Sequence, residues 1–266
     1  MNINNHSFID YRRAIAANRE IFLLKFPNVF LDFLKTDDYC SGLAVAISKG
    51  RTKDDKTLIS FLPFMGLIQR QIRNAFEAFA SAHSYQGWVL LRPALEAALI
   101  MGKWTDDKKY VEIWKNRDAD WQSSQREYSG KKLESKSLPN STNIRSVLSR
   151  INDDFMHFNP TYYFRHSQLD AVDPEKYVHA IGYFDKNVEQ DFHVYAFMHL
   201  CLVVARSIAS LLQKQYVKPI GVDVDVKGFR KAYGNTIKRL AKEHPDGIPI
   251  LTELGLWPNN CVDRTA

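Results

Sequence analysis

Apolar residues recur every three to four positions along most of this chain, which is the spacing of one face of an α-helix. The clearest stripes run from Thr57 to His83 and from Asn187 to about Tyr216. Between them, the strongly apolar segment from Ser84 to Trp104 is predicted to be the most buried helix. Together with shorter periodic runs, these segments predict an all-α fold, a bundle of about seven or eight helices.

Shorter helices are predicted before and between these stripes. At the N-terminus we expect one helix from Ser7 to Lys25, a second from Pro27 to Lys35, and a third that an aspartate caps and Gly50 ends. An aromatic stripe between Thr105 and Tyr128 predicts a further helix. The segment 129–143 is rich in Ser, Lys, Gly and Pro, so we expect a flexible surface loop there.

The hydrophobic period changes after a helix predicted from Asn143 to Phe158. Thr161–Phe164 and Tyr177–Phe184 are short runs of aromatic and β-branched residues separated by a polar loop, which predicts a β-hairpin or an extended flap. We interpret residues 1–266 as a single helical domain, with residues 219–266 as a candidate C-terminal appendage.

Composition places the chain among ordinary globular proteins. Of its 266 residues, 45% are apolar and 25% charged, which is enough to bury one substantial core. The first apolar run is too short for a signal peptide or a membrane span, so we expect a cytoplasmic protein that has no membrane partner. The formal net charge of +6 permits RNA or an acidic protein as a partner without identifying either.

Several common chemistries leave a sequence motif that is absent here. The sequence contains no GxxxxGK[ST], GxGxxG, GxSxG or HExxH motif. Cys40, Cys201 and Cys261 are far apart and form no CxxC pair. We therefore predict no metal site and no cofactor.

In the apolar segment that begins at Ser84, Arg92 and Glu96 are the two charges that come before Lys103. Four-residue spacing places them on the same face of a helix. A buried pair of this kind needs further polar partners and often marks a pocket, whereas a pair at the rim of the bundle needs none. Arg206, on the long helix near the C-terminus, would complete a polar network with Glu96 if it points inward.

A second polar cluster comes at the predicted end of the Asn143–Phe158 helix. Asp153 lies four residues before His157, and Asn159 follows. The aspartate could orient the imidazole for general acid or base chemistry, or the histidine could merely stabilise the C-terminus of the helix. His157 and Asn159 would line the same pocket as Arg92.

The order of these features resembles an uncharacterised group of helical bacterial proteins. It is also distantly similar to the HEPN superfamily, helical nucleases and nucleotide-binding proteins of prokaryotic defence and toxin systems, whose ribonucleases carry Arg-x(4–6)-His at a helix end. Arg150 and His157 have this spacing. The resemblance implies that Arg150 steadies the scissile phosphate of RNA and that His157 assists attack by the 2′-hydroxyl without metal, usually across a homodimer.

Three hypotheses remain open. The first is a binding or regulatory protein, with a phage-defence role implied by the resemblance and a polar pocket at Arg92 and Glu96. The second is a metal-independent ribonuclease that uses Arg150 and His157. The third is a protein-interaction module that docks a protein partner on the aromatic stripe from Tyr110 to Trp121.

Overall fold

The protein is built from helices, in agreement with the predicted all-α class. The computed structural model describes residues 8–49, 61–156, 167–173, 176–182, 184–185, 187–215 and short stretches between residues 231 and 253. Its α-helices are α1 (Phe8–Lys25), α2 (Pro27–Lys49), α3 (Phe61–Ala80), α4 (Ser84–Asp106), α5 (Lys109–Lys115), α6 (Trp121–Tyr128), α7 (Ser141–Phe155), α8 (Asn187–Gln215) and α9 (Ile248–Glu253). The described residues thus hold nine α-helices, against the seven or eight predicted.

Two strands lie between α7 and α8. β1 (Ser167–Asp173) pairs antiparallel with β2 (Lys176–Ile181), and the register is irregular between residues 171 and 173. β2 overlaps the predicted run Tyr177–Phe184, whereas the other predicted run, Thr161–Phe164, lies outside the described residues. The fold class rests on the helices, because this sheet has two strands only.

The α3–α4 pair forms the most extensive helix contact. Apolar residues at helical spacing bury one face of α3, as the stripe in the sequence predicts. The chain reverses at Ala82, which has a φ of 60°, and the two helices then run close together. At Gly87 on α4, an added Cβ would lie 2.6 Å from the ring of Phe79, so the glycine is what allows this approach.

α8 lies in the interior of the bundle and packs on α2 and α4. Its segment Asp191–Leu212 is long and apolar enough to cross a membrane, but 83% of its most apolar window is buried inside the protein. A core helix passes the same test of length and composition. This segment alone therefore does not place the chain in a membrane.

α2 is one continuous helix, and the predicted break near residue 36 is wrong. The aspartate expected to cap a new helix has a tertiary partner instead. Asp37 accepts hydrogen bonds from Nε and Nη2 of Arg73 on α3, at 2.8 and 2.7 Å. Gln69 donates to the same carboxylate at 3.0 Å. Because the Asp37 side chain binds α3, it does not cap the backbone N–H groups of α2, and the helix continues through this position.

The aromatic stripe predicted as one helix is split between α5 and α6. Asp120 caps α6 by accepting from the backbone N–H of Ser123 at 3.0 Å, which starts a new helix after the turn at 116–119. Trp114 packs against Phe64 and Trp104, with ring centroids 5.6 and 5.4 Å apart. A continuous exposed docking face is therefore not formed, although Trp121 is 52% exposed.

The segment 129–143 is not the surface loop that its composition predicts. Leu133 and Leu138 lie in the core, 6% and 2% exposed. The ammonium of Lys103, a residue only 3% exposed, donates to the backbone oxygens of Glu127 and Lys132, both at 2.5 Å. It also lies 4.2 Å from the ring centroid of Tyr110. A buried lysine thus holds the start of this segment against α4.

The C-terminal segment contacts the bundle through a buried ion pair. Nη2 of Arg239 lies 2.5 Å from Oδ2 of Asp32 on α2, with side-chain exposures of 16% and 5%. Burial raises the pKa of the Asp32 carboxyl, and the Arg239 hydrogen bond lowers it. Arg239 is therefore an internal partner of α2, and the part of the segment around it packs on the bundle.

We expect Gly87→Ala to lower the free energy of unfolding by about 1–3 kcal/mol, because the new methyl group overlaps the Phe79 ring. The matched control is Gly66→Ala in α3, where an added Cβ meets nothing within 4 Å. That change should raise stability by up to about 1 kcal/mol through helix propensity. Urea denaturation measures both. Equal effects at the two positions would contradict the close α3–α4 approach.

We expect Lys103→Met to lower the free energy of unfolding by about 2 kcal/mol, because the backbone oxygens of Glu127 and Lys132 lose their charged donor. Hydrogen exchange should rise first in residues 127–138, which the lysine holds. The exposed Lys108→Met serves as a control and should leave both measurements near wild type. Unchanged exchange in that segment would show that Lys103 does not hold it.

Candidate binding site

Arg92 and Glu96 form an ion pair at the edge of the bundle. Nη2 of Arg92 lies 2.7 Å from Oε1 of Glu96, and each side chain is 33% exposed. Nε of Arg92 donates to Oδ1 of Asn152 on α7 at 2.6 Å. The guanidinium thus connects α4 and α7. The sequence left open whether the pair is buried or lies at the rim of the bundle, and the exposed fractions of the two side chains place it at the rim.

The electrostatics of the pair are dominated by burial of the carboxylate. Desolvation raises the pKa of Glu96, while the charges of Arg92 and then Arg117 lower it. Arg117 lies in the turn after α5 and stacks on the exposed Trp121, with its guanidinium carbon 4.7 Å from the ring centroid. Glu96 is therefore a partly desolvated carboxylate under the influence of two guanidinium groups.

Arg206 does not point inward as the proposed network requires. It is exposed on α8, between the buried residues Ala205 and Ser207. The partner that Arg92 has besides Glu96 is Asn152, which the sequence analysis missed. Asn152 lies one residue before Asp153. A helical projection of α7 places Asn152 on the side that faces α4, and this projection could have identified it.

The polar residues near the end of α7 lie on a different face from Asn152. Nε of Arg150 donates to Oδ2 of Asp154 at 2.9 Å, and these side chains are 46% and 36% exposed. Asp153 is also exposed. Residues 150 and 152 are about 200° apart around a helix, so Arg150 lies on a different face of α7 from Asn152 and the Arg92 site. His157 and Asn159 lie outside the described residues.

An aromatic cluster lies beside the Arg92 site. The ring of Phe155, at the end of α7, is 5.6 Å from Tyr85 and 6.2 Å from Trp88. The indole Nε1 of Trp88 donates to Nδ1 of His193 at 3.1 Å. His193 is 7% exposed and acts here as a buried acceptor within the core. Trp88 lies one helical turn before Arg92, and Phe155 lies three residues after Asn152, so these rings neighbour the polar site.

In the described part of the chain, no group of three or more His, Cys, Asp or Glu side chains is placed to bind a metal ion. Cys40 and Cys201 are buried thiols whose pKa is raised by burial, to about 12 for Cys40. A raised thiol pKa disfavours the reactive thiolate. Neither cysteine is therefore placed as a nucleophile.

Comparison of the chain with protein-family models, with curated proteins and with solved structures gives no match. Its class is therefore defined by its own fold and site: an all-α bundle with a guanidinium–carboxylate–amide cluster between α4 and α7. We call the group Arg92, Glu96 and Asn152 the α4–α7 cluster.

We expect the wild type to gain stability relative to Glu96→Gln as the pH falls from neutral toward 4.5. Because the pKa of Glu96 in the folded protein is raised above its usual 4.5, the native state binds this proton at a higher pH than the unfolded state. The stability that protonation adds is therefore present below pH 4.5 and is lost as the pH rises through the folded pKa. Chemical denaturation across this range measures the difference, and a difference that moves the other way would contradict the shift.

Proposed function

We propose that this protein is a binding or regulatory protein whose ligand contacts the α4–α7 cluster. The observation that carries the proposal is the geometry of Arg92. Its guanidinium is held by Glu96 and Asn152 from two different directions, yet one third of the side chain remains exposed. A fixed and accessible guanidinium supports recognition of a ligand, since little side-chain freedom remains to be lost on binding.

The chemistry of the cluster favours a ligand with a carboxylate or phosphate group. A guanidinium offers a planar fork of donors that matches either anion. Glu96 occupies part of that fork in the free protein, with its Oε1 2.7 Å from Nη2 of Arg92. Arg117 adds a second positive charge that acts on the same carboxylate. The neighbouring aromatic rings offer an apolar contact for the rest of the ligand.

A metal-independent ribonuclease is the second candidate. It is favoured by the exposed position of Arg150 on α7, seven residues before His157, together with the resemblance to HEPN nucleases. A role in prokaryotic defence rests on the same resemblance. The two candidates use different faces of α7, so substitutions separate them.

Thermal unfolding with inorganic phosphate, small dicarboxylates, nucleoside monophosphates and short single-stranded RNA tests the first candidate. At least one of these anions should raise the Tm of the wild type, since a ligand that binds the native state stabilises it. Arg92→Gln should abolish that shift. Arg150→Gln, a matched change of an exposed arginine on the other face of α7, should retain it.

The opposite result would exclude the α4–α7 cluster as the site. A shift that survives Arg92→Gln contradicts the proposal. Cleavage of RNA without metal, lost in both Arg150→Gln and His157→Ala while Arg92→Gln cleaves normally, would establish the ribonuclease instead. Circular dichroism of each variant shows whether its fold is retained.

A further inference from the structure

α1 packs on the bundle through one of its faces. Phe22 is the buried side chain of this helix and contacts the ring of Phe76 edge-on, with centroids 5.4 Å apart. Asn18 donates to the backbone oxygen of Ser81 at 3.3 Å. Two further turns away, the ring of Tyr11 lies 5.7 Å from Phe184. Positions 11, 18 and 22 share one side of the helix, which is therefore the inner face.

The opposite side of α1 is exposed and contains large apolar residues. Ile9 is 61% exposed and Leu24 is 83% exposed. At 100° per residue, six exposed positions fall within about 100° of one another and point away from the inner face. These residues, called here the outer stripe, are Ile9, Arg13, Ala16, Ala17, Glu20 and Leu24.

The outer stripe is complementary to a second copy of itself that runs antiparallel to it. If two α1 helices are placed antiparallel with the two-fold axis between Ala16 and Ala17, Arg13 of each helix meets Glu20 of the other. Ile9 then meets Leu24, and the alanines face each other at the centre, where small side chains let the helices approach. A two-fold interface requires this reciprocity, in which each residue meets the same partner in both directions.

We infer that the outer stripe of α1 is a dimer interface on which α1 of a second copy of this chain packs antiparallel. Charge selects this arrangement, because a parallel pairing in register would set Arg13 against Arg13 and Glu20 against Glu20. Arg13 forms an exposed ion pair with Asp10 of its own helix at 3.4 Å, and its side chain is 78% exposed, so its guanidinium can also reach a carboxylate of a second copy. The stripe spans 16 residues, roughly 23 Å of helix, so the dimer is small and reversible.

This interface is separate from the α4–α7 cluster, and its test does not depend on ligand binding. Sedimentation velocity across the micromolar range should show the wild type in a monomer–dimer equilibrium. Arg13→Glu and Glu20→Arg should each raise the dimer dissociation constant at least about tenfold, because each places like charges together at two symmetric points. The double variant exchanges the charges and should restore dimerisation toward the wild-type constant.

Cysteine crosslinking tests the orientation of the two helices. Ala16→Cys lies beside the two-fold axis, so the two new thiols should join under mild oxidation. Ile9→Cys is equally placed on the stripe, but its two copies would lie roughly 22 Å apart, so it should remain uncrosslinked. The wild type measures any background from the native cysteines, and Leu34→Asp, an exposed apolar position on α2, should leave the dissociation constant unchanged.

Three outcomes would overturn the inference. The first is a wild type that remains monomeric throughout the range, which would leave the stripe to another partner. The second is a dimer that tolerates both single charge reversals. The third is a double variant as weak as the singles while circular dichroism shows intact helices. Rescue by the double variant is the decisive supporting result, since damage to the fold would not be repaired by a second reversal.

Discussion

The bundle depends on one constraint: a helix surrounded by others must give every polar side chain it carries a specific partner. α4 packs against α3, α7 and α8, yet it contains three charged side chains before its last residue, Asp106, at Arg92, Glu96 and Lys103. An unpaired charge there would cost several kcal/mol or be neutralised. Lys103 donates to one backbone oxygen on α6 and one in the segment that follows it, and Arg92 donates to the side-chain amide of Asn152 on α7. The positions of these neighbours are thus set by the charges of α4.

The same constraint explains why the candidate site lies where it does. At Lys103 the polar group is enclosed, so its contacts serve stability alone. At Arg92 the helices separate enough to expose a third of the side chain while its orientation is still fixed. A rigid charged group at a partly open position is a useful contact for a ligand, and a buried one is not. The two ends of one helix therefore combine structural and candidate functional roles.

Periodicity predicts the elements of this fold well, because the stripes on α3, α4 and α8 each face a core. It also identifies Arg92 and Glu96, since a pair of charges inside an apolar run is visible in a single sequence. Local composition fails where a tertiary contact overrides it. Asp37 resembles a helix cap but pairs with Arg73, and the polar segment after Tyr128 is held at Lys132 by a lysine 29 residues earlier in the chain. Asn152 was missed for the same reason: its partner lies 60 residues away.

The central position of α8 has a consequence for how the chain is made. This helix fills the space between α2 and α4, yet it begins only at Asn187, well after both of them in the chain. Until it emerges, the apolar faces of the earlier helices have no permanent neighbour. The nascent chain therefore holds a hydrophobic groove open for much of its translation, which is the kind of surface that chaperones bind. The core between α2 and α4 is therefore completed only when α8 arrives.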